Sequence, residues 1–364
     1  MNSRRFIFLF FCLISPWVWA AENLRVPAGF QIELYTDQTP NARSLALGED
    51  GTVYVGTMTE GKVYAVRDED HDGKAERVLT VASGLNMPNG VAVLKGDLYI
   101  AEIPRIVKIP AIAASLATPA KPQVVFDRFP SDTHHGWKYL RVGPDGKLYT
   151  AVGAPCNICL SEKEVYASLV RLEPDGSQFE IYARGLRNTV GFDWQPGSNR
   201  LFITDNGRDW LGDDLPPEEL NRADRAGLHF GYPYCHGGKI ADPEFGDQKP
   251  CKDTTPPVWT FPAHTAPLGL RFYSGQQFPE AYRGRLFVAQ HGSWNRTTPQ
   301  GYRVMAVSFK GEQPVADEVF ADGWLTDDGK VLGRPVDILE MPDGALLVSD
   351  DRRGAIYRVS YRQP

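Results

Sequence analysis

Along most of the chain, apolar and polar residues alternate in short runs, and each run stops at a turn rich in Gly, Asp or Asn. SLALGEDGTVYVG, from Ser44, is one such unit. Its period of two marks half-buried strands, and the central Asp-Gly marks a tight hairpin. The unit recurs as GVAVLKGDLYIAE from Gly90, YLRVGPDGKLYTA from Tyr139, GFDWQPGSNRLFIT from Gly191, GLRFYSGQQFPEAYRGRLFVA from Gly269 and VDILEMPDGALLVSD from Val336. Six copies leave about 55 to 60 residues each, enough for a four-stranded blade with its loops. The pattern therefore predicts an all-β chain, a single six-bladed β-propeller over residues 21–364. A pair of β-sandwiches would explain the strands but not the repeat.

The amino terminus departs from this pattern. Arg4 and Arg5 precede an apolar run, Phe6 to Ile14, and Val18-Trp19-Ala20-Ala21 has the small residues of a cleavage site. Residues 1–20 thus read as a secretory signal peptide, and the mature chain as periplasmic or secreted. No later run approaches the ~20 apolar residues of a membrane span, so no integral membrane segment is expected. With 42% hydrophobic and 23% charged residues, the chain is globular in composition. Its formal charge of -6 becomes about -8 without Arg4 and Arg5, which disfavours nucleic acid as a partner and leaves small neutral substrates open.

In an oxidising compartment the cysteines change the picture. Cys12 leaves with the signal, and the other four are expected to pair locally, Cys156 with Cys159 and Cys235 with Cys251. The second bridge would close a Gly- and Pro-rich excursion. Leu160 stands where c-type haem attachment needs His, so Cys156-Asn157-Ile158-Cys159 reads as a structural disulfide before a zinc or redox site. Asp68, Asp70, Asp72 and Gly73 have the spacing of an EF-hand start. Leu79 replaces the bidentate Glu at the twelfth position, which favours a solvated hairpin.

In a propeller the loops of all blades converge on one funnel, so distant residues can share a site. His134 and His135 stand just before the inner strand of the third unit. ARGLRNTVGFDW follows from Ala183, and TDNGRDWLGDDLPPEELNRADRAGLHFGYPYCHGG from Thr204. In the Gly185–Asn188 turn, in Glu219–Asn221 leading to Phe230–Pro233, and in a His five residues before Leu140, the chain resembles the soluble quinoprotein sugar dehydrogenases. These form the glucose and sorbosone dehydrogenase family, which uses pyrroloquinoline quinone (PQQ). The resemblance runs from about Val26 to Arg358.

That resemblance implies His135 as general base and His134 as a neighbouring cofactor contact. It implies Arg187 and Asn188 as a clamp on the quinone carboxylates and carbonyls, with Arg334 and Asp351 contributing from the last blade. Calcium would be held by the Glu219 carboxylate and the main-chain carbonyl of Phe230. Asp213, Asp214 and Glu218 read as surface charge. In an extended segment His134 and His135 would point to opposite sides, so only one would face the reacting hydroxyl. Two positions depart from the family pattern. FVAQHGSWNRTTPQG, from Phe287, has no lysine where better-known members direct one at the quinone, and offers His291 or Arg296 instead. Near the early glutamine of some members, only Asn86 and Asn89 are amides. Trp137, Trp210, Trp294 and Trp324 are candidate stacking platforms for a sugar.

The implied activity is oxidation of an aldose at C1, or of a related aldehyde hydrate, with PQQ and calcium as cofactors and a separate electron acceptor. Two other classes fit a six-bladed propeller, a gluconolactonase-like metal-dependent hydrolase and a non-enzymatic ligand-binding protein.

Overall fold

The structure is a computed structural model that describes residues 23–362, so the segment read as a signal peptide lies outside the described residues. Six antiparallel sheets stand around a central axis, each with its first strand innermost. The innermost strands are Ala42–Leu47, Gly90–Leu94, Leu140–Val142, Gly191–Trp194, Pro267–Phe272 and Pro335–Glu340. Every predicted unit supplies the first two strands of one blade, and the predicted turns join them. Gly51, Gly146 and Gly344 turn three of these hairpins at φ 82°, 76° and 87°, a region costly for a residue with a Cβ.

The alternation did not show how the ring closes. The sixth blade contains Pro335–Glu340, Leu346–Asp350 and Ala355–Tyr361, and its outermost strand is Phe30–Thr36 from the other end of the chain. Phe30 pairs with Tyr361, Ile32 with Val359 and Leu34 with Tyr357. Phe30 also inserts its ring among Phe278, Tyr282 and Phe320, so the closing strand is held by aromatic packing as well as by its ladder.

Between blades, the cores are apolar and the innermost strands are cross-linked by buried carboxylates. Asp337 accepts the Leu45 N–H at 2.8 Å, and Asp193 accepts the Phe272 N–H at 2.9 Å. The fourth blade carries a long insertion before its outer strand, Trp259–Phe261. Within it Leu228–His229 adds a parallel strand to the third blade, and Cys235–Cys251 closes the loop that follows. The expected pairing of Cys156 with Cys159 is present too. No helix among the described residues is long and apolar enough to cross a bilayer.

Candidate active site

At one end of the ring the blade loops enclose a cavity of about 760 Å³. His134, His135, Arg187, Asn188, Arg334 and Asp351 all line it, although they come from three different blades. Its charge is unusual for an acidic protein. Arg43, Arg187, Arg334 and Arg352 face Asp209, Glu218 and Asp351, with His264 and His291 beside them.

The two histidines do not diverge as an extended segment would require. Thr133 and Gly136 close a turn, and His135 takes φ 50° in the left-handed region. This folds both side chains onto the same cavity with ring centroids 4.1 Å apart. His135 Nδ1 lies 2.9 Å from the Ala154 carbonyl oxygen, an acceptor only, so Nδ1 carries the proton and Nε2 is a bare acceptor. Burial, then the positive charge of Arg187, pulls the His135 pKa down to about 2, and the ring is neutral.

Arg187 is held by its surroundings. It donates from Nε to the Asn157 carbonyl at 2.8 Å, from Nη1 to the Asn206 carbonyl at 3.2 Å, and from Nη2 to Asn157 Oδ1 at 2.8 Å and Asp209 Oδ2 at 3.1 Å. Of the five N–H groups of a guanidinium, these bonds leave one for a ligand. Asn157 sits inside the Cys156–Cys159 loop, so that disulfide braces the arginine. Asp205, on the adjacent strand, accepts the main-chain N–H groups of both Arg187 and Asn188.

Across the cavity, Asp351 accepts from Arg43 Nη1 at 2.8 Å and lies 3.0 Å from His291 Nε2. Burial opposes its ionisation, but His291 and Arg43 outweigh that and hold its carboxyl well below the usual carboxylate range. His291, offered as a substitute for the absent lysine, thus faces the cavity. Arg296 instead ties the rim loop to the Asp213 carbonyl and Asp214. Of the two early amides, Asn89 is fully buried and orients Arg43 by accepting from its Nε at 2.9 Å. Arg43, Asn157, Asp205 and Asp209 carry no local signal in the sequence, because each acts through a partner distant in the chain, Arg43 through Asp351, Asn157 and Asp209 through Arg187, and Asp205 through the N–H groups of Arg187 and Asn188.

The carboxylates need one correction. Glu218, read as surface charge, is buried, lines the cavity and accepts the Gly207 N–H at 2.6 Å. Successive residues of the strand Glu218–Ala223 point to opposite faces, so Glu219 opens instead into a small cleft beside the cavity with Asp205, Asn206 and His236. Glu219 accepts from Asn221 Nδ2 at 2.9 Å and the Gly237 N–H at 2.7 Å. The ring of Phe230 packs in the core between the third and fourth blades, and the residue lines neither cavity nor cleft.

This neighbourhood fits a hard cation. Burial lifts the carboxyls of Glu218 and Glu219 to about 8 and that of Asp205 to about 6, because little positive charge compensates them. The buried Asn206 Oδ1 and Asn221 Oδ1 accept no hydrogen bond. Uncompensated carboxylates beside orphaned amide oxygens are an oxygen-only donor set of the kind calcium takes. The cavity likewise fits a planar polycarboxylate through its arginines. Elsewhere, Asp68, Asp70, Asp72 and Glu76 bring carboxylate oxygens within 4.8 Å of one another, Glu76 supplying the acid that Leu79 does not. Their oxygens accept loop N–H groups of Gly73, Asp72 and Lys74.

The six-bladed ring has the fold of solved pyranose and aldose sugar dehydrogenases. The chain belongs to the TrAA12-like family, whose model matches residues 24–362. It is 32% identical over 370 residues to an uncharacterised protein of Borreliella burgdorferi, covering 96% of this chain and 95% of that one. It is 28% identical over 199 residues to the aldose sugar dehydrogenase YliI of Escherichia coli, 52% of this chain and 46% of that protein. In fold it resembles the holo PQQ domain of pyranose dehydrogenase from Coprinopsis cinerea, with a TM-score of 0.79 at 20% identity over 93% of this chain and 97% of that one. This kinship makes the protein a homologue of sugar-oxidising oxidoreductases.

Proposed function

We propose that the protein is a periplasmic or secreted quinoprotein that oxidises the C1 hydroxyl of an aldose, or a related aldehyde hydrate, with PQQ and calcium, and passes the electrons to a separate acceptor. The observation that carries this reading is His135, whose Nδ1 is engaged by the Ala154 carbonyl so that Nε2 is free, set beside Arg187 in a cavity of arginines. When bound, the quinone with its cation supplies the electrophilic carbon that takes hydride. His135 Nε2 accepts the hydroxyl proton, and its Nδ1–H bond to Ala154 keeps the tautomer and ring orientation. Arg187, Asn188 and Arg334 would hold the cofactor's oxygens and His134 would contact it, while Asp351 fixes His291 and Arg43 at the same cavity. Glu219 is the proposed cation ligand, with Asn206 and Asn221 at hand; the main-chain carbonyl of Phe230, which the family resemblance also implies, belongs to a residue that lines neither cavity nor cleft.

Acidic and amide oxygens beside a funnel would also serve a lactone-hydrolysing propeller, so the experiment must separate the two. Apo-protein is mixed with PQQ and calcium and assayed for dye reduction with a panel of aldoses, and in parallel for metal-dependent hydrolysis of gluconolactone. Dye reduction that needs both additions supports the proposal. Lactone hydrolysis without quinone, or binding without turnover, overturns it.

A further inference from the structure

Trp210 and Trp294 are the two most exposed large aromatic side chains among the described residues, 66% and 65% open to solvent. They meet at the mouth of the cavity with ring centroids 5.5 Å apart and planes at 84°. Trp294 lines the cavity, and Trp210 packs edge-on against Trp294. The other two candidate platforms differ. Trp324 is buried against Tyr357, and Trp137 packs inside the cavity below Arg43.

The pair is built, not merely left exposed. Trp210 takes φ 71°, a left-handed conformation that is a genuine outlier for a bulky residue. Such strain persists only where neighbouring contacts fix it. On one side Asn157 Oδ1 accepts the Asp209 N–H at 2.8 Å. On the other, the Gly212 carbonyl lies 2.8 Å from His264 Nε2. Arg296 then stitches the Trp294 loop to Asp213 and Asp214, and the Thr297 N–H donates to Asp213 Oδ1 at 3.1 Å. Two loops from different blades are thereby locked so that both rings face solvent beside the funnel.

We infer that the Trp210–Trp294 pair is a saccharide subsite, which stacks a second pyranose ring of an oligosaccharide whose terminal ring occupies the cavity. The inference rests on the sugar-oxidising reading of that cavity and extends it to the class of substrate. The electron-rich face of an indole attracts the weakly positive C–H groups on one face of a pyranose. Asp209, Asp213 and Asp214 around the rings offer acceptors to its hydroxyls. Size argues against a protein partner. At this exposure the two rings present on the order of 330 Å², well below the ~800 Å² each partner buries in a stable interface.

The test reads tryptophan fluorescence of the apo-protein during titration with cellotriose, maltotriose and glucose. At least one trisaccharide should quench the signal saturably, and glucose should not. Trp210→Gly, which suits the left-handed backbone, and Trp294→Ala should abolish the quench, whereas Trp210→Phe should keep part of it. In protein reconstituted with PQQ and calcium, Trp210→Gly should raise KM for that trisaccharide at least tenfold and leave KM for glucose within twofold. No quench by either trisaccharide, a quench that survives both substitutions, or an equal rise in KM for glucose overturns the inference. So does a rate loss seen only with cytochrome c as acceptor while quenching is unchanged, which assigns the pair to acceptor docking. The fluorescence measurement needs no turnover, so it stands even if the redox reading fails.

Discussion

The carboxylate of Asp205 accepts the main-chain N–H of Arg187 at 2.8 Å, and its other oxygen accepts that of Asn188 at the same distance. Thr189 Oγ1 adds a third bond at 3.0 Å. One buried acid therefore sets the direction in which the Gly-Leu-Arg-Asn turn presents its side chains. Asp205→Asn should cost about 1–3 kcal/mol, because an amide turns a donor toward one of these N–H groups and leaves it unpaired. Quinone affinity should fall with it. Thermal melting and PQQ titration check both, and an unchanged Kd would show that Asp205 only stabilises the fold.

Gly153 leaves no room for a side chain. A Cβ there would lie 2.6 Å from the Cβ of His135 and 2.7 Å from its carbonyl oxygen. The backbone cannot yield cheaply, so Gly153→Ala should displace His135 and destabilise the protein by about 1–3 kcal/mol. The measurements are a melting curve and steady-state kinetics of reconstituted enzyme. Activity should fall more than tenfold while the fold survives, and normal activity would place the proton acceptor elsewhere.

The Cys235–Cys251 bridge spans a separation of 16 residues in an insertion otherwise held by polar contacts such as Arg208 Nη1 to Asp242 at 2.6 Å. Replacing both cysteines with serine should cost about 3 kcal/mol on the chain-entropy model. Differential scanning calorimetry of the variant reads the loss. An unchanged melting temperature would mean that the polar network alone holds the loop.

Two strands of every blade were legible because a hairpin leaves local marks, a period of two and a turn residue at a fixed place. The closing strand Phe30–Thr36 was not, since its partner Ala355–Tyr361 lies at the other end of the chain and no turn joins them. The site divides in the same way. His135 and Arg187 lie in contiguous motifs, whereas Arg43 and Asn157 carry no local sign and are tied to the site through Asp351 and Arg187. Glu218 and Glu219 show a further limit. Sequence alone does not reveal which of two adjacent acids faces the funnel, because that depends on the phase of the strand around the axis.

His134 and His135 share one cavity, yet their roles should still separate. The His135 ring hydrogen-bonds the Ala154 carbonyl, which fixes Nδ1–H and leaves Nε2 to take a proton. His135→Gln should lower kcat by about 10²- to 10⁴-fold, the usual worth of a positioned base, while PQQ still binds. His134→Ala should chiefly raise KM or weaken cofactor binding, with a smaller kcat loss because its ring touches that of His135 at 4.1 Å. Acidity gives an independent check. In the folded apo-protein burial and Arg187 hold His135 near 2, against 6.5 for the free side chain, so the unfolded chain binds the extra proton first. Stability from this group is complete above pH 6.5 and is lost as the pH falls below it. His135→Gln should therefore flatten part of the fall in melting temperature on the acid side. Removing the positive neighbour in Arg187→Gln should raise the His135 pKa, which proton NMR of the imidazole can follow. If the His135 resonance of apo-protein titrates near 6.5, the ring is not held neutral. If His135→Gln keeps full kcat while His134→Ala loses it, the base is the other histidine.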